Sequence, residues 1–352
     1  MKNKYSFIDL WNIDKKKLHK SLLKGYKLRN EQLKYKFNQS SNKNHILNKF
    51  RDFANEPSNI INPDSFIEKV KKNFIKEKKV KIIVKDINDL KAENLNLIVS
   101  VDKNNPKILI CEYIIDNIKP IILVGKGVTY DTGGYNIKNG TNMSRMHLDK
   151  IGGCMCLYIL EKIIKEKIKK SIVVCIPLVE NTISNNSTKP GDIIKSYSKL
   201  NVEILNTDAE GRLIIADCLS YCTDKYKFKY IIDMGTFTVI SNCYISYTYF
   251  TLNNLLKNKI EKEAKQFSEK ITRHEIILEY LELTKSKKAD VKNTVDICKY
   301  NDDLTICYFL LNFIKKKYYK KWLHINLPMY TITDDYSILE GSESLYNFVK
   351  FL

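Results

Sequence analysis

SIVVCIPLV, residues 171–179, is apolar at every position but the first and is bounded by Lys169-Lys170 and Glu180. A run of this length without alternation is expected of a central strand covered on both faces, the usual condition of a parallel sheet. The flanking segments fit that reading. Residues 150–168 carry apolar side chains at helical spacing, and Pro120–Val124 reads as a second buried strand running directly into a Gly-rich loop. Further strands are expected at Val80–Val84, Leu95–Val101, Ile108–Tyr113 and Tyr230–Met234. Helices are expected at 46–54, at 64–77 with Asp64 as N-cap, at Arg212–Cys222, and at 257–272 as a charged surface helix. Alternation of this kind predicts an α/β fold: a mixed, largely parallel sheet sandwiched between helices. Residues 45–352 are read as one α/β domain, and the Lys/Asn-rich stretch 1–44 as a short polar appendage. There is no internal repeat.

The composition narrows the function. The 352 residues are 44% hydrophobic, which excludes a disordered chain, and no apolar run approaches the length of a membrane span. The N-terminus lacks a secretory pattern, and the nine cysteines contain no CxxC pair, so a cytoplasmic protein with reduced thiols is expected. There are 59 Lys+Arg against 40 Asp+Glu, a net charge of +19, but only five of the basic residues are Arg. Lysines spread along the chain point to a solvated surface with weak, nonspecific polyanion binding rather than a built nucleic-acid site. GKG at 125–127 lacks the spacing of a P-loop. The five histidines (His19, His45, His147, His274, His324) form no HExxH, which excludes a zincin-type protease.

Two segments concentrate acid and glycine in this lysine-rich chain: VGKGVTYDTGGYNIKNGTNMSRMHLD at 124–149 and NTDAEGR at 206–212. Asp131 lies in a turn whose glycines permit close backbone approach, and Asp208 and Glu210 can converge at a strand end or a turn. Their carboxylates suit hard or borderline divalent cations.

Together these segments resemble the leucine aminopeptidase family of two-metal cytosolic aminopeptidases, whose motifs are VGKG-[IV]-T-[FY]-D-[ST]-GG and NTDAEGR. Weaker likeness continues through RDFANEP (51–57), 179–194, ADVKN (289–293) and WLHINL (322–327), so that it covers about 45 to 330. The resemblance implies a peptidase acting on peptides with a free N-terminus, working as a trimer or hexamer. It implies two divalent ions, zinc or manganese with magnesium a further candidate. Their ligands would be Lys126, Asp131, Asp149 and Glu210 at a tighter site, and Asp131, Asp208 and Glu210 at a more exchangeable one. Lys138 would stabilise the oxyanion and Arg212 would hold a bicarbonate acting as base. Met146, Thr236 and Phe237 would contact substrate. The alternative is a nucleic-acid-binding or assembly protein on the same scaffold. The chain departs from the family in the DMGTFTV segment at 233–239, where D-x-A-T-L-T-G is usual, so a narrower pocket is expected. Lys150 replaces an apolar residue, Asn326 replaces an Asp, and the family's N-terminal domain is reduced to the short appendage.

Overall fold

The structure, a computed structural model, describes residues 45–238, 245–295, 300–328 and 339–352. The chain divides into two units, Met1–Asn48 and Lys49–Leu352, and the sheets lie in the second. The appendage expected over 1–44 lies outside the described residues.

Twelve strands are described. They are β1 Val80–Lys85, β2 Lys107–Tyr113, β3 Ile121–Gly125, β4 Gly127–Asp131, β5 Ile172–Asn181, β6 Ile193–Lys195, β7 Asn201–Glu203, β8 Tyr230–Gly235, β9 Tyr247–Phe250, β10 Ile271–Arg273, β11 Val291–Lys292 and β12 Trp322–Asn326. The main sheet runs β1-β2-β5-β3-β8-β12-β9-β10, with β4 added to the end of β5, and β11-β7-β6 form a small second sheet. Its centre is parallel: Ile121 pairs with Ile172 on one side and Tyr230 on the other, and Trp322 pairs with Ile231. The β1/β2, β2/β5 and β9/β12 pairs are antiparallel. The sheet is therefore mixed and largely parallel, as expected.

Strand period explains why SIVVCIPLV has no polar face. Val173, Cys175 and Val179 join Ile122, Val124 and Ile231 in a cluster with Leu213–Leu219 of the helix Glu210–Lys225. The alternate residue Ile176 meets Gly153 of the helix Ile151–Lys165 instead. Successive side chains point to opposite faces, so both faces are buried under helices.

Some local expectations change. Leu95–Val101 is helical over Asn96–Val101, not a strand. Buried Asp217 decides this, because its Oδ2 accepts from the Leu97 N–H (2.8 Å) and its Oδ1 from the Tyr197 N–H (2.8 Å). A carboxylate over the first turn satisfies orphan donors that a strand would leave in the core. The second helix runs Pro63–Phe74, and its N-cap is Asn62, in a reciprocal pair with Ser65, rather than Asp64. Proline at the first helical position displaces the cap by two residues. The charged helix expected over 257–272 runs Asn254–Gln266, and the chain then turns through Ser268 into β10.

That turn places Glu269 against Ser344 of the C-terminal helix Ser342–Phe351. Burial, with Glu340 nearby, pushes the Glu269 carboxyl up to about 7. The folded state therefore holds a proton that the unfolded chain releases near 4.5, so stability falls as pH rises from about 4.5 to about 7. Glu269→Gln should flatten that slope. Thermal melts of both proteins at pH 5 and pH 8 measure it, and equal slopes would refute the assignment.

Candidate metal centre

The carboxyl ends of the parallel strands β3, β4, β8 and β12 open on one cavity of about 570 Å³. Crevices outside such strand ends are where open α/β sheets bind ligands. Lys126 is the single residue between β3 and β4, where the chain leaves its pairing with β8 and continues along β5. Its backbone is held on both sides: its N–H donates to Met234 O (2.9 Å), and its carbonyl accepts from the Gly153 N–H (2.8 Å). The side chain is thereby committed to the cavity.

NTDAEGR forms a turn and then the first residues of the helix Glu210–Lys225. Asn293 fixes the turn, its Oδ1 accepting from the Leu205 N–H (2.8 Å) and its Nδ2 donating to Asn206 O (2.6 Å). Thr207 ties it to the other motif by donating to Gly133 O (2.7 Å). Gly133, with φ +87°, donates its N–H to Asp131 Oδ1 (2.8 Å). Gly211 is required for space: a Cβ there would lie 2.6 Å from Lys126 Cε.

The cavity wall includes Lys126, Asp131, Lys138, Met146, Asp149, Asp208, Glu210, Arg212, Thr236 and Phe237, every site residue expected from the sequence. One oxygen each of Asp131, Asp208 and Glu210 lie within 4.8 Å of one another. Lys126 Nζ stands 2.8 Å from Asp149 Oδ2, 2.8 Å from Glu210 Oε1 and 2.7 Å from Thr236 O. Lys138 Nζ is 2.7 Å from Asp131 Oδ2 and also contacts Asp208. Asp131 Oδ1 further accepts from Asn181 Nδ2 (2.7 Å).

The electrostatics are those of a cluster that wants more cation. Burial, followed by the Glu210 and Asp149 carboxylates, drives the Asp131 carboxyl well above its usual range. Burial likewise lifts Asp149 to about 7, against the pull of Lys126. For both lysines burial alone would favour the neutral amine. The surrounding acids override it, Asp149 and Glu210 foremost for Lys126 and Asp131 for Lys138, and raise both above the ordinary lysine range. The donor set fits divalent metal. Among the described residues, Glu210 Oε2 is buried with no hydrogen-bond partner, and Asp149 Oδ2 and Asp208 Oδ1 meet only the two ammonium groups. Added positive charge at such a cluster would also favour a neutral Lys126 amine.

Bicarbonate does not fit as expected at Arg212. One guanidinium nitrogen donates to Asn293 O (2.9 Å), and the other spans both oxygens of Asp302 at 3.0 Å. A protein carboxylate already sits where the free anion is expected. Asp302 carries no motif signal in the sequence, and Asn181 falls inside the weakly matching stretch 179–194 without a role being read for it. Lys150, beside Asp149, is fully buried and donates to Glu56 O (2.8 Å) and His147 O, and burial draws its pKa down to about 8. Asn326 accepts from the Phe237 N–H (3.0 Å) and donates to Thr238 Oγ1 (2.8 Å), holding the substituted segment in the wall. Val239 lies outside the described residues.

The family model for the catalytic domain of the cytosol aminopeptidase family matches residues 48–341. A probable cytosol aminopeptidase of Phytoplasma mali (strain AT) is 33% identical over 290 residues, which are 80% of this chain and 57% of that protein. Probable cytosol aminopeptidase 1 of Shewanella oneidensis is 36% identical over 251 residues, 69% of this chain and 50% of that one. The chain thus spans about half the length of the curated relatives it matches. Among solved structures, the apo leucyl aminopeptidase of Trypanosoma cruzi superposes with a TM-score of 0.81 at 23% identity, covering 87% of this chain and 62% of that one. The bottromycin maturation enzyme BotP in complex with Mn gives 0.79 at 20% identity, covering 87% and 70%. At these identities the structural likeness speaks for the fold. Among the described residues, no helix is long and apolar enough to cross a membrane.

Proposed function

Because the chain belongs to the cytosol aminopeptidase family, we propose that it is a metal-dependent aminopeptidase releasing N-terminal residues from peptides. The observation that carries this reading is the carboxylate cluster of buried Asp131 and Glu210 with half-buried Asp208, one Glu210 oxygen lacking a partner among the described residues, in a cavity of peptide size. Lys126, Asp131, Asp149, Asp208 and Glu210 would hold two divalent ions. Bound there, such ions lower the pKa of a water and polarise a carbonyl.

The chain's own residues supply the rest. Asn181 and Gly133 orient Asp131 by donating to its Oδ1. Lys138 brings a fixed positive charge to the cavity wall, suited to the negative oxygen that develops as a peptide carbonyl becomes tetrahedral. The strand-end crevice admits a chain terminus, and its free α-amine, in the neutral form, would be a ligand for ions held by these acids. Met146 and Phe237 give the wall apolar surface for the first side chain.

Release of p-nitroaniline from leucine p-nitroanilide by the Mn²⁺- or Zn²⁺-loaded protein tests the reading. No turnover of small, large or basic N-terminal residues, with metal shown to be bound, would overturn it. A specificity effect should accompany activity. The Phe237 ring packs on the His324 ring with centroids 4.9 Å apart, so it is held in the wall rather than free to swing aside. Phe237→Leu should raise kcat/KM for bulky N-terminal residues about 10-fold, within the range set by a few methylenes in an apolar pocket, and leave alanyl substrates nearly unchanged. A uniform change across substrates would place Phe237 outside the pocket for the first side chain.

A further inference from the structure

We propose that Asp302 occupies the anion seat on Arg212 from within the chain and serves there as the proton-accepting carboxylate of the cavity, in place of a bound bicarbonate. The catalytic half of this statement rests on the peptidase reading above, and the occupied seat does not.

Arg212 is only 3% exposed at its side chain, and both of its terminal nitrogens are engaged. The Asn293 carbonyl takes one nitrogen, and both Asp302 oxygens lie 3.0 Å from the other. A carboxylate spanning a guanidinium nitrogen in this way is a charge-assisted contact, and it cancels the charge that would draw in a free anion. Asp302 is also well anchored. It opens the helix Asp302–Leu311, whose N-cap Asn301 accepts from the Leu304 N–H (3.1 Å). An incoming bicarbonate would have to displace a carboxylate tethered to the rigid start of a helix.

The remaining acids of the wall are otherwise engaged. Asp131, Asp149, Asp208 and Glu210 converge on one another and on Lys126 and Lys138. No histidine lines the cavity among the described residues. Asp302, 29% exposed at its side chain and facing the same space, is the lining acid left to exchange protons. In hydrolysis the water oxygen forms a bond to the scissile carbonyl carbon, and a proton of that water passes to the Asp302 carboxylate. The C–N bond then breaks, Asp302 gives the proton to the leaving nitrogen, and the carboxylate is regenerated. No other reactant is needed.

The test uses the Mn²⁺-loaded full chain in CO₂-free buffer, with leucine p-nitroanilide as substrate and ¹³C-bicarbonate as NMR probe. The wild type should turn over at a rate that added bicarbonate leaves unchanged, and it should not broaden the ¹³C line. Asp302→Asn keeps the shape and a contact to Arg212 but cannot take a proton, so kcat should fall about 10²- to 10⁴-fold with no rescue. Asp302→Ala empties the seat: it should broaden the ¹³C line and regain activity as bicarbonate is added. Thermal melts of both variants separate lost chemistry from lost folding. Several-fold stimulation of the wild type by bicarbonate would overturn the proposal, as would Asp302→Asn within twofold of wild type or equal broadening by wild type and Asp302→Ala. If the metal-loaded wild type turns over nothing, the peptidase reading fails and the catalytic half with it. The ¹³C titration then decides the occupied seat alone.

Discussion

Glu210→Ala should reduce hydrolysis to the uncatalysed background, a loss on the order of 10⁴-fold or more if the reaction depends on cations held by these carboxylates. Glu210 joins the carboxylate ring to Lys126. It is the first residue of the helix Glu210–Lys225, almost wholly buried, with Oε1 on Lys126 and Oε2 facing no partner. Removing it opens the ring formed with Asp131 and Asp208 and leaves Lys126 with Asp149 as its remaining ion-pair partner. Calorimetric titration with Mn²⁺ supplies the readout independent of turnover. The wild type should bind up to two ions, and the variant should lose affinity at least 10-fold or lose a site. Glu210→Gln keeps the volume and tests whether charge or packing matters. Unchanged Mn²⁺ binding by both variants would remove Glu210 from the ligand set.

Lys138→Ala should separate binding from turnover in a way a merely structural lysine would not. In this structure the Lys138 ammonium lies on Asp131 and Asp208, two carboxylates expected to hold metal. It therefore competes with an incoming cation for the same oxygens. Deleting it should leave Mn²⁺ affinity equal or higher while kcat falls about 10²- to 10³-fold, the loss typical of removing one group that stabilises an oxyanion. KM should change little, because the contribution arises in the transition state. Parallel loss of Mn²⁺ affinity and activity would instead make Lys138 a support for the loop that presents Asp131.

Both variants concern residues visible in the sequence. The segments 124–149 and 206–212 gather acids and glycines in a chain dominated by Lys, Asn and Ile, and the resemblance to the aminopeptidase family implies the roles of Glu210 and Lys138. The central strands were equally legible, because burial on two faces leaves an unbroken apolar run. What sequence does not display is a partner brought from far along the chain. Asp217 turns 96–101 into a helix from 120 residues away, and β-branched composition alone favoured a strand there. Asp302 reaches Arg212 across 90 residues. In the sequence it is only one of two adjacent acids after Asn301, indistinguishable from ordinary first-turn residues of a helix. Asn181 and Asn293 lie in stretches that weakly match the family, but the loops they meet were not legible.

The cysteines give the chain an internal clock. All seven in the described residues are free and buried, spread over β2, β5 and the helices Ile151–Lys165, Glu210–Lys225 and Asp302–Leu311. Burial lifts most of these thiols, Cys111 and Cys154 to about 12, so in the folded protein they stay protonated at neutral pH. A thiol reagent mixed with the folded protein must therefore wait for the sheet to part. Because the sulfurs sit on different elements, mass spectrometry of the tagged peptides would order those elements by how often each one opens.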